Sequence, residues 1–217
     1  MFKLKILSRI TLGILLLGVS VKAKEPKEDE VYNQVRKFYR SIQILQCRYR
    51  EIFVWALTGE TVVREGELVV NNDNRMRIES PEMLILSDGK TLYRWNKLRN
   101  QVLIEAVKED DSGEMLPRRV LLEFGENLRP HSLRIISIDG EKGYQLELLP
   151  RDSRESSLAS ASLWITTKDL VVRKLEITDF NQNRTTYILS EIKLNSPMSP
   201  QWFNFTMPEG AEIFDLR

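Results

Sequence analysis

Apolar residues change their spacing along the chain. Between residues 31 and 44 they fall at Val31, Val35, Phe38, Tyr39 and Ile42, with Arg36, Lys37 and Arg40 on other faces. That is the spacing of an amphipathic helix. From Cys47 to Ala106 the period becomes two, and residues 66–70, 75–79, 83–86, 91–95 and 101–105 each read as a short strand. The breaks carry turn chemistry: Thr58-Gly59, the run from Asn71 to Asn74, Ser80-Pro81, Asp88-Gly89, and the run from Lys97 to Asn100. Asp-Gly is a strong hairpin signal because both residues tolerate positive φ. Short strands joined by tight turns predict an antiparallel meander.

Residues 107–114 read as a polar, acidic loop, and residues 115–124 as a short apolar helix with Pro117 in its first turn and Gly125 at its end. Strand patterns resume at 133–138, 144–148, 162–166, 171–178 and 185–193, with Asp139-Gly140 as a further turn. The predicted fold is mainly β (α+β). It is an open, strongly curved antiparallel half-barrel with an N-terminal helix and a helical lid, since a curved sheet must hide its apolar face under a second sheet or helices.

The first residues bear on compartment. Lys3, Lys5 and Arg9 precede ten apolar residues, 10–19, and Val21-Lys22-Ala23 offers a small-x-small cleavage pattern. These are the parts of a secretory signal peptide, and the run is too short for a membrane span of about 20 residues. The expected organisation is a signal peptide at 1–23 and a single domain at 24–217, opening with a charged, mobile tail at 24–30. Without residues 1–23 the chain keeps 28 basic and 31 acidic residues, which gives no electrostatic case for nucleic acid. The single cysteine, Cys47, cannot form an internal disulfide and reads as a small buried hydrophobe.

Chemistry-bearing motifs are sparse. The one histidine, His131, sits beside Pro130 and reads as a surface loop residue. No metal-protease, paired-cysteine, nucleophile-elbow or phosphate-loop pattern occurs. The expectation is therefore no enzyme, no cofactor and no metal. Met76, Tyr93, Trp95, Phe124 and Trp164 suit a soft cavity lining, although periodicity alone reads them first as plain core.

Residues 78–95, which include Ser87-Asp88-Gly89-Lys90 and the aromatics Tyr93 and Trp95, resemble the most characteristic stretch of the periplasmic lipoprotein carrier family, LolA-like proteins. The Gln101-Val102 strand follows as it does there. Phe203-Asn204-Phe205 with Pro208, Gly210 and Glu212 resembles the family's ending. The resemblance implies a periplasmic carrier that shields the acyl chains of lipoproteins, or related lipids, in an apolar cavity and delivers them toward the outer membrane. Implied partners are the acylated cargo, an inner-membrane ABC-type release transporter and an outer-membrane receptor, with the carrier itself a monomer. The residues expected to line the cavity are Leu68, Val70, Met76 and Ile78, with Leu84, Leu86, Tyr93 and Trp95; Leu121, Leu122 and Phe124 would form the lid.

The sequence departs from the family pattern at two places. Where well-known members carry Arg-Pro before the 75–78 strand, and use the Arg to latch the lid, this chain has Asn72-Asp73; the usual following aromatic is Met76. Asn72 thus occupies the latch position, and the lid is expected to be held by apolar contacts helped by Arg75. The alternative reading is a lipid- or lipoprotein-sensing envelope regulator of the same fold.

Overall fold

Acidic residues that precede the apolar helix pattern belong to the helix. In a computed structural model, which describes residues 25–107, 128–152, 156 and 158–217, helix α1 spans Glu28–Arg40. Glu28, Asp29 and Glu30 fill its first turn, and Lys37 and Arg40 its last, so both ends complement the helix dipole. The Lys27 N–H donates to the Glu30 carboxylate at 3.3 Å. At the other end the Ser41 N–H and hydroxyl both donate to the Phe38 carbonyl, at 3.0 and 2.6 Å. The helix therefore begins and ends earlier than the apolar spacing at 31–44 implies, and residues 28–30 are not tail. The expected signal peptide at 1–23 and helix at 115–124 lie outside the described residues.

Twelve strands follow in one sheet: β1 Ile44–Val54, β2 Thr61–Asn71, β3 Arg75–Glu79, β4 Met83–Asp88, β5 Thr91–Asn96, β6 Gln101–Ala106, β7 Leu128–Ile138, β8 Glu141–Pro150, β9 Leu158–Thr166, β10 Val172–Asp179, β11 Arg184–Leu194 and β12 Glu212–Asp215. Their order is β12-β6-β5-β4-β3-β2-β1-β11-β10-β9-β8-β7. Two antiparallel meanders, β1 to β6 and β7 to β11, are thus joined through the β1–β11 pair. The sheet is open and curved, with β7 and β12 as its two edges. One pairing departs from the antiparallel expectation: β12 runs parallel to β6, Ile213 opposite Val102. His131 also departs from expectation. It lies exposed within β7, where the register to β8 slips between Pro130 and Ser132, and not in a loop.

Gly66 shows why β2 can bend past its neighbour. A Cβ there would stand 2.1 Å from the Glu79 carbonyl oxygen, where β3 ends, so only glycine allows that approach.

Helix α1 packs on one face of the sheet through Val31, Tyr32, Val35 and Tyr39, all buried. The Tyr32 hydroxyl donates to the Leu128 carbonyl at 3.2 Å, and the Val172 N–H donates to the Tyr39 hydroxyl at 2.8 Å. Burial pushes the Tyr39 phenol well above its usual pKa. Leu146, Leu148, Leu163, Ile165, Val172 and Leu175 belong to the same core, each fully buried. We call this the helix-side face, and its reverse the outer face.

Candidate ligand-binding face

Residues directly opposite one another in a ladder point to the same face, so the register assigns every side chain. Cys47 faces Leu68, Leu68 faces Ile78, Ile78 faces Ile85, Ile85 faces Arg94 and Arg94 faces Leu103. Val70, Met76, Met83 and Leu92 fall on this same side, and all but Arg94 and Leu103 of these residues belong to the core that includes α1. The helix-side face of β1–β4 is therefore one continuous apolar row, extended by Leu92 on β5 and broken by Arg94 before Leu103. Leu68, Val70, Met76, Ile85 and Leu92 are almost completely buried, while Ile78, Met83 and Leu103 are only partly so. At its β5–β6 end the row meets an ion pair, Arg94 with Glu105. Cys47 sits within the row, and burial pushes its thiol up to about 12, which leaves it an inert hydrophobe.

The outer face of the same strands is a second, separate apolar layer. Val69, Leu84, Leu86, Val102 and Ile104 are buried there. A strap formed by the C-terminal segment covers them. Its 3-10 turn, Pro200–Phe203, buries Phe203, and the Phe205 ring stacks on Tyr93 with centroids 4.4 Å apart and planes 7° apart. Arg75 lies over the Phe203 ring at 4.9 Å, and Arg77 over Trp202 at 5.8 Å. The Trp95 indole N–H donates to Asn100 Oδ1 at 3.2 Å, and Asn100 donates to the Glu209 carbonyl at 3.0 Å. Glu79 accepts from Lys97 at 2.8 Å and from Arg77 at 3.0 Å. Burial raises the Glu79 carboxyl, but these donors outweigh it and leave the group below the usual carboxylate range.

The eight residues expected to line one cavity thus divide by face. Leu68, Val70, Met76 and Ile78 share the helix-side row. Leu84, Leu86, Tyr93 and Trp95 point the other way, into the layer under the strap. Trp164 is also on the outer face, its ring 3.8 Å from the Lys174 ammonium. Asn72 is exposed, with its N–H bonded to the Gln43 carbonyl at 3.0 Å. Arg75 is engaged by Asp73 at 2.6 Å and by Phe203, on the outer face, and so is turned away from any helix-side lid. Leu121, Leu122 and Phe124 lie outside the described residues. Met83, Ile85, Leu92 and Leu103 complete the row, although the sequence reading did not single them out. Two surface hollows, of 390 and 430 Å³, lie elsewhere: one lined by Arg48, Arg50, Glu65 and Ile188, the other by Lys37, Phe38 and Leu170. Among the described residues no group of three or more His, Cys, Asp or Glu could hold a metal ion.

The model of the outer membrane lipoprotein carrier protein LolA family matches residues 57–206. The chain belongs to this family. The LolA match runs from the β1–β2 turn into the strap, so the 3-10 turn and Phe205 lie within the matched span while α1, β1 and β12 lie outside it. An outer-membrane lipoprotein carrier protein of Nitrosomonas europaea is 24% identical over 212 residues, covering 96% of this chain and 98% of its own length. An uncharacterized protein of Methanocaldococcus jannaschii is 21% identical over 206 residues, 94% of this chain; the chain spans only 58% of that protein's length. The crystal structure of an uncharacterized conserved protein from Thermus thermophilus shares the fold, with a TM-score of 0.54 at 13% identity over 86% of this chain and 98% of that one. No helix among the described residues of this LolA family member is long and apolar enough to cross a membrane.

Proposed function

We propose that this protein is a periplasmic, non-enzymatic carrier that shields acyl chains of lipoproteins, or of related lipids, on the helix-side face of its sheet and delivers them toward the outer membrane. The observation that carries the reading is the continuous apolar row from Cys47 to Ile85, flanked by Leu92, on one face of an open sheet, in a chain of the lipoprotein carrier family. Each methylene taken out of water stabilises the complex by about 0.8 kcal/mol, so an acyl chain in an aqueous compartment gains from such a row. Ile78, Met83 and Leu103, already partly exposed, form the point of entry. Loading then separates the nearly dry contacts around Leu68, Val70 and Met76. The Arg94–Glu105 pair bounds the row where the polar end of the ligand meets the sheet. In this reading residues 1–23 are a cleaved signal peptide, residues 24–217 form a single monomeric domain, and cargo passes from an inner-membrane ABC-type release transporter to an outer-membrane receptor. Mass spectrometry of material co-purifying with the protein from its native envelope tests this. Diacylated or triacylated lipopeptides or phospholipids in stoichiometric amount are expected. Protein recovered without any acylated species, and unable to bind an acylated peptide in solution, contradicts the reading.

A further inference from the structure

The most exposed large apolar side chain among the described residues is Leu57, 96% accessible, in the turn between β1 and β2. It is not alone. Trp55 in the same turn and Phe180 in the turn between β10 and β11 are about half exposed, at 46% and 50%. The two turns are neighbours, because β1 pairs with β11 to the end at Val54 and Arg184, and the Ala56 N–H donates to Asn183 Oδ1 at 3.0 Å. The β1–β2 turn is also closed on itself. The Trp55 N–H donates to the Glu60 carbonyl at 2.9 Å and the Gly59 N–H to the Trp55 carbonyl at 2.8 Å, with Gly59 at φ +71°. Leu57 is therefore held out by an ordered backbone.

This double tip continues the helix-side row. Tyr49 and Phe53 alternate onto that face of β1, and the Phe53 ring meets the Trp55 ring edge to face at 4.8 Å. One ion pair, Arg64 with Glu51 at 3.4 Å, interrupts the line. We propose that the double tip docks on the interfacial region of a phospholipid bilayer, with Leu57 and Phe180 in the acyl boundary and Trp55 at the level of the headgroups. Three side chains are too few for a stable protein partner, which takes about 800 Å² from each side. A bilayer imposes no shape on its ligand, and Trp is the side chain enriched at its interface. The charges beside the tip, Glu60, Asp179 and Arg184, leave a net negative charge, which gives no attraction to anionic lipid, so docking depends on apolar insertion. The path from bilayer to row rests on the carrier reading; docking does not.

The test is flotation of the secreted protein with phosphatidylcholine vesicles, alongside binding of an acylated peptide in solution. Wild type is expected to float at low and high salt alike, and brominated acyl chains to quench tryptophan emission in wild type but much less in Trp55→Phe. Leu57→Glu should cut flotation at least tenfold and leave solution binding of the peptide unchanged. Leu98→Glu, which alters another exposed leucine in the β5–β6 turn (78% accessible), should change neither. Docking is overturned if wild type fails to float, if Leu57→Glu floats like wild type, or if Leu98→Glu loses as much. Loss of peptide binding in wild type with flotation intact would instead remove the carrier reading and leave docking standing.

Discussion

Strands β4–β6 carry apolar residues on both faces, and the two faces are finished differently. The outer face is sealed by the chain itself: Phe203 is buried, Phe205 stacks on Tyr93, and Arg75, Arg77 and Asn100 fasten the strap through two rings and a backbone carbonyl. The helix-side face has flexible Met76 and Met83 among its branched residues, leaves Ile78, Met83 and Leu103 partly exposed, and ends at an ion pair. Directional contacts hold a surface in one arrangement, while methionine and partly exposed aliphatic side chains can repack around different shapes. The contrast separates two duties. The strap keeps a thin sheet stable, and the opposite side is left adaptable.

The comparison breaks most visibly at Phe203. Phe203→Ala should lower the unfolding free energy by about 3–5 kcal/mol, the usual cost of removing a buried phenylalanine, measured by urea titration. Binding of an acylated peptide by the molecules that remain folded should not change. Next in size is Ile78→Glu, which places a charge in the helix-side row. Affinity for an acylated peptide should fall at least tenfold, about 1.4 kcal/mol or more, while stability falls less than in Phe203→Ala. Isothermal calorimetry and urea titration together read both quantities. A double-mutant cycle on Tyr93→Leu and Phe205→Leu should return a coupling of about 0.5–1.5 kcal/mol, typical of an aromatic pair; additivity would mean that the stack does not hold the strap.

The smallest effect is in pH. The Glu79 carboxyl is lowered in the folded protein: burial opposes the charge, and Lys97 and Arg77 outweigh burial. A depressed carboxyl pKa contributes stability that is complete above the unfolded value, ~4.3, and is lost as pH falls through the folded value. Stability should therefore decline on acidification below the usual carboxylate range, and Lys97→Met should flatten that decline. An identical acid limb in the variant would mean that Lys97 does not hold the Glu79 carboxyl down.

Much of the sheet was legible because its turns are chemically explicit. Asp88-Gly89 and Asp139-Gly140 close hairpins as read, with Gly89 at φ +97° and Gly140 at φ +83°. The helix start was hidden because Glu28, Asp29 and Glu30 belong to it through the dipole and not through an apolar stripe. Strand β12 is only four residues long and forms by pairing with β6, a non-local contact with little local signal. The faces were the harder problem. In β4 the residues from Leu84 to Ser87 are all buried, so alternation shows which residues share a side but not which side faces the helix. For that reason the sequence pattern alone does not separate Leu84, Leu86, Tyr93 and Trp95 from Met76 and Ile78. The available clue was Trp202-Phe203-Asn204-Phe205, an aromatic run that needs an apolar surface of its own.

One measurement addresses the central claim, that acylated ligand occupies the helix-side face and not the strapped one. A lipopeptide carrying a diazirine in its acyl chain is bound and photolysed, and the adducts are mapped by mass spectrometry. Adducts should concentrate on Ile78, Met83, Leu103 and their helix-side neighbours, and be missing from Leu86, Tyr93 and Trp95. Adducts on Tyr93, Trp95 or Phe205 in preference to Ile78 and Met83 would mean that the strap is the lid, and the assignment of the two faces would be reversed.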